Sequence, residues 1–281
     1  MLGAAAVIRP GNVAISAVAV LIGAIVAIGP EVLAADQAVL LRPLAVACAA
    51  AALFTAAGNA LNDYFDVESD RVNHPDRPIP RGALTRRGAL SIAAILFSLA
   101  VLLGLLINLE SLLVIAINLA AMVSYEVRLK RRGASGNLLI ALLVGSLFVF
   151  AGTATSRGDP AALSRAFVFA LLAALATLGR EIAKDIEDMT GDVDRQTLPK
   201  RHGVKVAGGL AAGAFVAAIA LSPLPYVLGL LPWTYLAVVL VADAILIYCA
   251  LFSASAGRQI GRVSKYGMVV ALAAFLIGAV T

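Results

Sequence analysis

RRGALSIAAILFSLAVLLGLLINLESLLVIAINLAAMVSYEV, residues 86–127, is two apolar runs placed back to back around Asn108. Each run, 86–107 and 109–127, comes close to the ~20 residues that a helix needs to cross a bilayer's hydrocarbon core. Neither alternates apolar and polar residues as a barrel strand does. Similar runs occupy about 12–34, 40–63, 136–154, 163–184, 204–222, 226–252 and 261–281. In lipid a segment must satisfy its own backbone polar groups, which a helix does internally. The expected fold is therefore all-α, a polytopic membrane protein of about nine transmembrane helices. Composition agrees. The 281 residues are 61% hydrophobic and 14% charged, with a mean hydropathy of +0.95, whereas a soluble domain has roughly 45–50% apolar and 25% charged residues.

The charges set the topology. Of 22 lysines and arginines, 17 fall after the second, fourth, sixth and eighth runs, and the alternate connections are short and nearly free of them. The positive-inside bias then puts the long basic loops and the N-terminus, with Arg9, in the cytoplasm. The net charge of +5 belongs to that membrane-facing rim, and nothing calls for nucleic acid. Cys48 and Cys249 lie inside apolar runs without metal-ligand spacing and read as packing residues. The first run exceeds the ~7–15-residue core of a secretory signal, so it reads as a retained span although Ala34-Ala35 resemble a cleavage site.

Acidic residues are concentrated. Of 17 in the chain, 11 fall in two windows: Asp63, Asp66, Glu68, Asp70 and Asp76 after the second run, and Glu181, Asp185, Glu187, Asp188, Asp192 and Asp194 after the sixth. Each window leads into a proline-containing basic stretch, RPIPRG at 77–82 and TLPKRHG at 197–203. The windows are four helices apart, which suggests one domain, 1–281, built as parallel pseudo-repeat halves of about 12–127 and 136–252 with an extra helix at 261–281, around a central cavity.

Asn62, Asp66 and Asp70 are spaced i, i+4, i+8, with Asp63 three before Asp66; if the second helix continues past the membrane edge they share one stripe. Glu181, Asp185, Asp188 and Asp192 form the corresponding stripe. Clustered carboxylates at ~4 Å repel by about 4 kcal/mol at an effective dielectric of 20, so they need a cation. Hard oxygen ligands without thiolate or histidine favour Mg²⁺, completed by substrate phosphates, and two acidic faces suggest two ions bridging a diphosphate. Arg71, Lys184, Arg128 and Lys130 are the cations expected on its non-bridging oxygens. A lipid-facing cavity for a hydrocarbon chain is expected beside it. Tyr125 and Glu181 should face that cavity, with Arg9 and Asn12 near its floor. Asp243, a lone intramembrane carboxylate, is either a helix-packing hydrogen-bond partner or a substrate contact. His74 and His202 read as loop residues. A cation-coupled transporter is the rival of another class, but its acids usually lie at the midplane of inverted repeats rather than at helix ends.

NDYFDVESDRVNHPDRPIPRG, residues 62–82, resembles the first signature of UbiA-type membrane prenyltransferases, and REIAKDIEDMTGD, 180–192, resembles their second. The resemblance extends over the chain, including YEVRLKRRG at 125–133. It implies that Asn62, Asp66 and Asp70, with Asp63, and Asp185, Asp188 and Asp192 hold Mg²⁺ against a prenyl diphosphate, with Asp66 and Asp188 central to catalysis and Arg71 and Lys130 steadying the leaving group. Within the superfamily the chain is most similar to the archaeal branch that adds a second geranylgeranyl chain to geranylgeranylglyceryl phosphate in membrane-lipid synthesis. Branches acting on 4-hydroxybenzoate and related quinone precursors share the metal motifs, so the acceptor stays open at this point.

Overall fold

The computed structural model describes residues 6–29, 37–189, 196–255 and 259–281. Among them, nine helices are long and apolar enough to cross a membrane, and no strand occurs. They are α1 (Pro10–Ile28), α2 (Gln37–Phe65), α3 (Arg86–Ile107), α4 (Leu109–Val127), α5 (Ala134–Thr155), α6 (Pro160–Glu187), α7 (Val204–Leu221), α8 (Trp233–Phe252) and α9 (Ile260–Val280).

Local sequence explains most boundaries. Asn108 closes the one-residue turn between α3 and α4: its side chain accepts from Ser111 N at 2.7 Å and donates to Thr153 O at 2.9 Å, so it caps α4 and ties the turn to α5. Pro160 starts α6 behind Asp159, whose carboxylate accepts from Ala161 N and Ala162 N, the pairing expected of a first-turn proline and an N-cap acid. Three expected edges move. α1 stops at Ile28, where Gly29 takes φ +114°; the expected continuation to 34 lies outside the described residues. α6 runs to Glu187, beyond the expected 184. α8 begins at Trp233 rather than 226, because prolines 223, 225 and 232 and the positive φ of Gly229 make that connection a short helix, Leu224–Val227, and a turn.

Successive helices pack on one another, and α9 returns to α1, closing a ring that α1 braces by also touching α5 and α6. Lipid cannot drive apolar surfaces together, so close backbone approach at small residues holds such a bundle. A Cβ on Gly145 of α5 would stand 2.6 Å from Ala170 O of α6, and one on Gly179 of α6 would stand 2.8 Å from the Phe215 ring of α7. α3 turns Ile95, Leu99, Leu102 and Leu106 outward, a stripe at helical spacing that suits a lipid-facing helix.

The ring brings the ends of α2, α4 and α6 and the beginnings of α1 and α9 to one side. Lys265 of α9 donates to Asn12 Oδ1 of α1 at 2.8 Å, and Glu187 of α6 accepts from Gly261 N of α9 at 2.8 Å.

Candidate active site

The first window is not one continuous helix. α2 ends at Phe65, and Asp66, at φ −92° and ψ 9°, begins a separate short helix, Val67–Asn73. Backbone bonds from Asp66 N to Asn62 O (2.9 Å) and from Asp70 N to Asp66 O (2.8 Å) nevertheless carry the helical register through the break, which preserves much of the expected stripe.

Cations of the chain hold these carboxylates. Arg9 donates to Asp63; Arg77 pairs with Asp70 and lies 3.8 Å from Asp63. Lys130 sits 2.8 Å from Asp66 and 2.7 Å from Glu126, which also accepts from Asn62 Nδ2 at 3.0 Å. Asp63, Asp66, Asp70, Glu126 and Lys130 are all buried, so each charge needs its partner. In the second window Glu181, Lys184 and Asp185 lie on the last turns of α6, Asp188 caps it, and Asn137 donates to Asp185 at 2.9 Å. Asp192 lies outside the described residues.

The two windows touch. Asn73 donates to Asp188 O at 3.2 Å, and His74 Nε2 is 4.0 Å from Asp188 Oδ1. Burial, reinforced by the Arg77 guanidinium, holds the His74 imidazole below its ordinary value, which weakens any ion pair with Asp188. His74 is therefore part of the junction rather than a plain loop residue.

The donor set suits a hard cation completed from outside. Asp63 Oδ2 and Asp70 Oδ2 are buried without a hydrogen-bond partner, at a cost that a bound cation removes. Among the described residues no three acidic, histidine or cysteine side chains form a ready-made metal group. Carboxylate and amide oxygens of this kind suit a hard cation such as Mg²⁺, whose shell waters and phosphates complete.

A cavity of about 400 Å³ opens beside this junction, walled by every spanning helix except α3. Arg9, Asn12, Asn62, Tyr125, Glu181 and Lys184 line it, with apolar walls that include Ile115, Met122, Leu143 and Phe275. Arg9 and Asn12 stand beside Asp63 and Lys265, at the polar end rather than the floor, because α1 begins on the side where α2 ends. Two expected cations are not brought in. Arg71 is exposed and pairs with Glu68 at 2.8 Å, since it follows Asp70 directly and points off the stripe. Arg128 caps α4 and is exposed, whereas Lys130, two residues on, turns inward. Asp243 also faces the cavity. It accepts from Ser222 Oγ at 2.7 Å, while Tyr235 OH donates to the Ser222 carbonyl at 2.6 Å, so it is both a packing partner and a lining residue.

The pattern of the UbiA prenyltransferase family matches residues 16–278. The chain belongs to the UbiA prenyltransferase family. It is 43% identical over 279 residues to the digeranylgeranylglyceryl phosphate synthase of Natronomonas pharaonis, covering 98% of this chain and 96% of that one. A solved structure described as giving insights into the biosynthesis of digeranylgeranylglyceryl phosphate synthase in membranes superposes with a TM-score of 0.75 at 30% identity, covering 99% of this chain and 98% of that one. The fold is also that of a UbiA homologue from Archaeoglobus fulgidus bound to GPP and Mg²⁺, with a TM-score of 0.65, 14% identity and 98% of each chain covered.

This UbiA-family prenyltransferase is thus an integral membrane enzyme whose sequence signatures converge at one cavity mouth. Sequence reading passed over Glu126, Arg77, Asn137, Arg180 and Lys265. Glu126 carried a signal in its i, i+4 spacing to Lys130, and Asn137 is an isolated amide at the start of an apolar run. Arg77 and Lys265 looked like any rim cation, and Arg180 lay within the expected sixth span, until the helices closed.

Proposed function

We propose that this prenyltransferase is a digeranylgeranylglyceryl phosphate synthase, moving a geranylgeranyl group from its diphosphate to the free hydroxyl of geranylgeranylglyceryl phosphate. The observation that carries the site assignment is the Asn73–Asp188 junction, which unites the two acidic windows beside an apolar cavity. Full-length similarity to the Natronomonas pharaonis synthase supports the acceptor. Asn62, Asp63, Asp66 and Asp70 would hold one Mg²⁺, and Asp185, Asp188 and Asp192 a second. Bound there, the metal supplies Lewis-acid neutralisation of the charge developing on the departing diphosphate.

The chain's own groups do the rest. Lys130 and Glu126 fix Asp66 and Asn62, and Asn137 orients Asp185, so the ligand oxygens are set before substrate arrives. Lys184, in the cavity wall, faces the diphosphate. The C1–oxygen bond of the prenyl diphosphate breaks, diphosphate leaves, the acceptor hydroxyl oxygen bonds to C1, and that hydroxyl loses its proton. A nearby carboxylate such as Asp66 or Asp188 would take up the proton. The apolar wall keeps water from the allylic cation. The junction and the N-terminus lie on the cytoplasmic face.

Purified protein incubated with Mg²⁺, geranylgeranyl diphosphate and competing acceptors tests this, with products read by mass spectrometry. Digeranylgeranylglyceryl phosphate is expected; a prenylated aromatic acid in its place overturns the acceptor assignment.

A further inference from the structure

The acceptor just proposed carries a phosphomonoester at one end and an isoprenoid tail at the other. The cavity holds a matching pair of features that the diphosphate mouth does not use. Arg180 of α6 and Lys265 of α9 both line the cavity wall, where these helices pack together. Arg180 is held from two sides: its Nε donates to Gly261 O at 3.2 Å, and its terminal nitrogen pairs with Glu181. Lys265 rests on the neutral amide oxygen of Asn12 at 2.8 Å. Among the described residues no carboxylate lies within ion-pair distance of Lys265, so its charge faces the cavity uncompensated. A cation that is only partly exposed, set by a neutral partner, is suited to an anionic ligand group.

The wall below these cations is apolar on both helices. α6 ends on this side, so Ala176 and Ala173, four and seven residues before Arg180, lie deeper in the bundle. α9 begins here, so Val269 and Leu272, four and seven residues after Lys265, lie deeper beside them. All four line the same cavity. The i, i+4, i+7 spacing puts each set on the face that carries its cation.

Resting on the synthase reading, we propose that Arg180 and Lys265 form a subsite for the acceptor's phosphomonoester, with its tail running along the α6–α9 wall, one helical turn deeper along α6 than Lys184 of the diphosphate mouth. The subsite orients the acceptor so that its hydroxyl approaches the prenyl C1 and its tail stays out of the donor's path.

The test crosses a substitution with removal of the phosphate. Wild type, Lys265→Met and Lys265→Arg are assayed with geranylgeranylglyceryl phosphate and with geranylgeranylglycerol, while geranylgeranyl diphosphate is varied separately. Loss of a charged hydrogen bond corresponds to about 10- to 100-fold. Lys265→Met is expected to raise KM for the phosphorylated acceptor by about that factor, with KM for the prenyl diphosphate unchanged, which also reports an intact fold. Lys265→Arg should retain most of the acceptor affinity. With the phosphate-free acceptor, Lys265→Met and wild type should perform alike. An increase in KM for the prenyl diphosphate, or an equal loss with both acceptors, overturns the subsite while leaving the synthase reading intact. Failure of wild type to prenylate the phosphorylated acceptor instead sinks the synthase reading, and the subsite with it.

Discussion

Removing Lys130 should expose how much strain the cluster at the end of α2 carries. Its ammonium sits 2.8 Å from Asp66 and 2.7 Å from Glu126, and all three side chains are buried. Two carboxylate oxygens sharing one ammonium at those distances lie at most about 5.5 Å apart, which at an effective dielectric of 20 is a repulsion of about 3 kcal/mol once Lys130→Met deletes the cation. Deleting one member of a buried ion pair typically costs about 3–5 kcal/mol, the same range. At roughly 2–4 °C per kcal/mol, the melting midpoint in detergent should fall by about 6–20 °C. The double variant Glu126→Gln/Lys130→Met removes the repulsion and leaves one buried carboxylate, so it should recover at least half of that loss. Fluorescence-detected size-exclusion after a temperature series measures both. A Lys130→Met midpoint within about 2 °C of wild type, or a double variant no more stable than the single one, would refute the electrostatic account.

Asp66→Ala and Asp188→Ala should each lower transfer by more than about 100-fold while the protein still inserts and elutes as wild type, measured by product mass spectrometry and size exclusion. Chelating divalent ions should abolish turnover, and adding Mg²⁺ should restore it. The melting midpoint should fall on chelation and recover with Mg²⁺, because Asp63 Oδ2 and Asp70 Oδ2 are buried without a partner until a cation binds. Asn137→Ala frees Asp185 from its 2.9 Å hydrogen bond and should lower kcat by roughly tenfold with little change in stability, seen in steady-state kinetics. Gly145→Val drives a Cβ toward Ala170 O, 2.6 Å away; overpacking of this kind costs about 1–3 kcal/mol and should lower the melting midpoint without altering KM for either substrate.

The amino-acid sequence alone determined that the chain lives in lipid, that it is helical, and where most spans lie, because hydrocarbon allows few solutions to backbone hydrogen bonding. It also exposed the acid windows, since 11 of 17 acidic residues in two short stretches stand out against apolar surroundings. Partnership was decided only by the closed ring. Asn73 and Asp188 are far apart in sequence and meet through the packing of separate helices; no spacing rule reports that distance. The break at Asp66 was equally hidden, for the i, i+4, i+8 pattern is satisfied by a straight helix and by two helices in register. Arg71 and Arg128 could not be told from Arg77 and Lys130 in one dimension, because a basic side chain beside an acidic window faces the cavity or the solvent according to a rotation of about 100° per residue. The side each residue finally takes depends on which helices crowd around it, and long-range packing alone sets that.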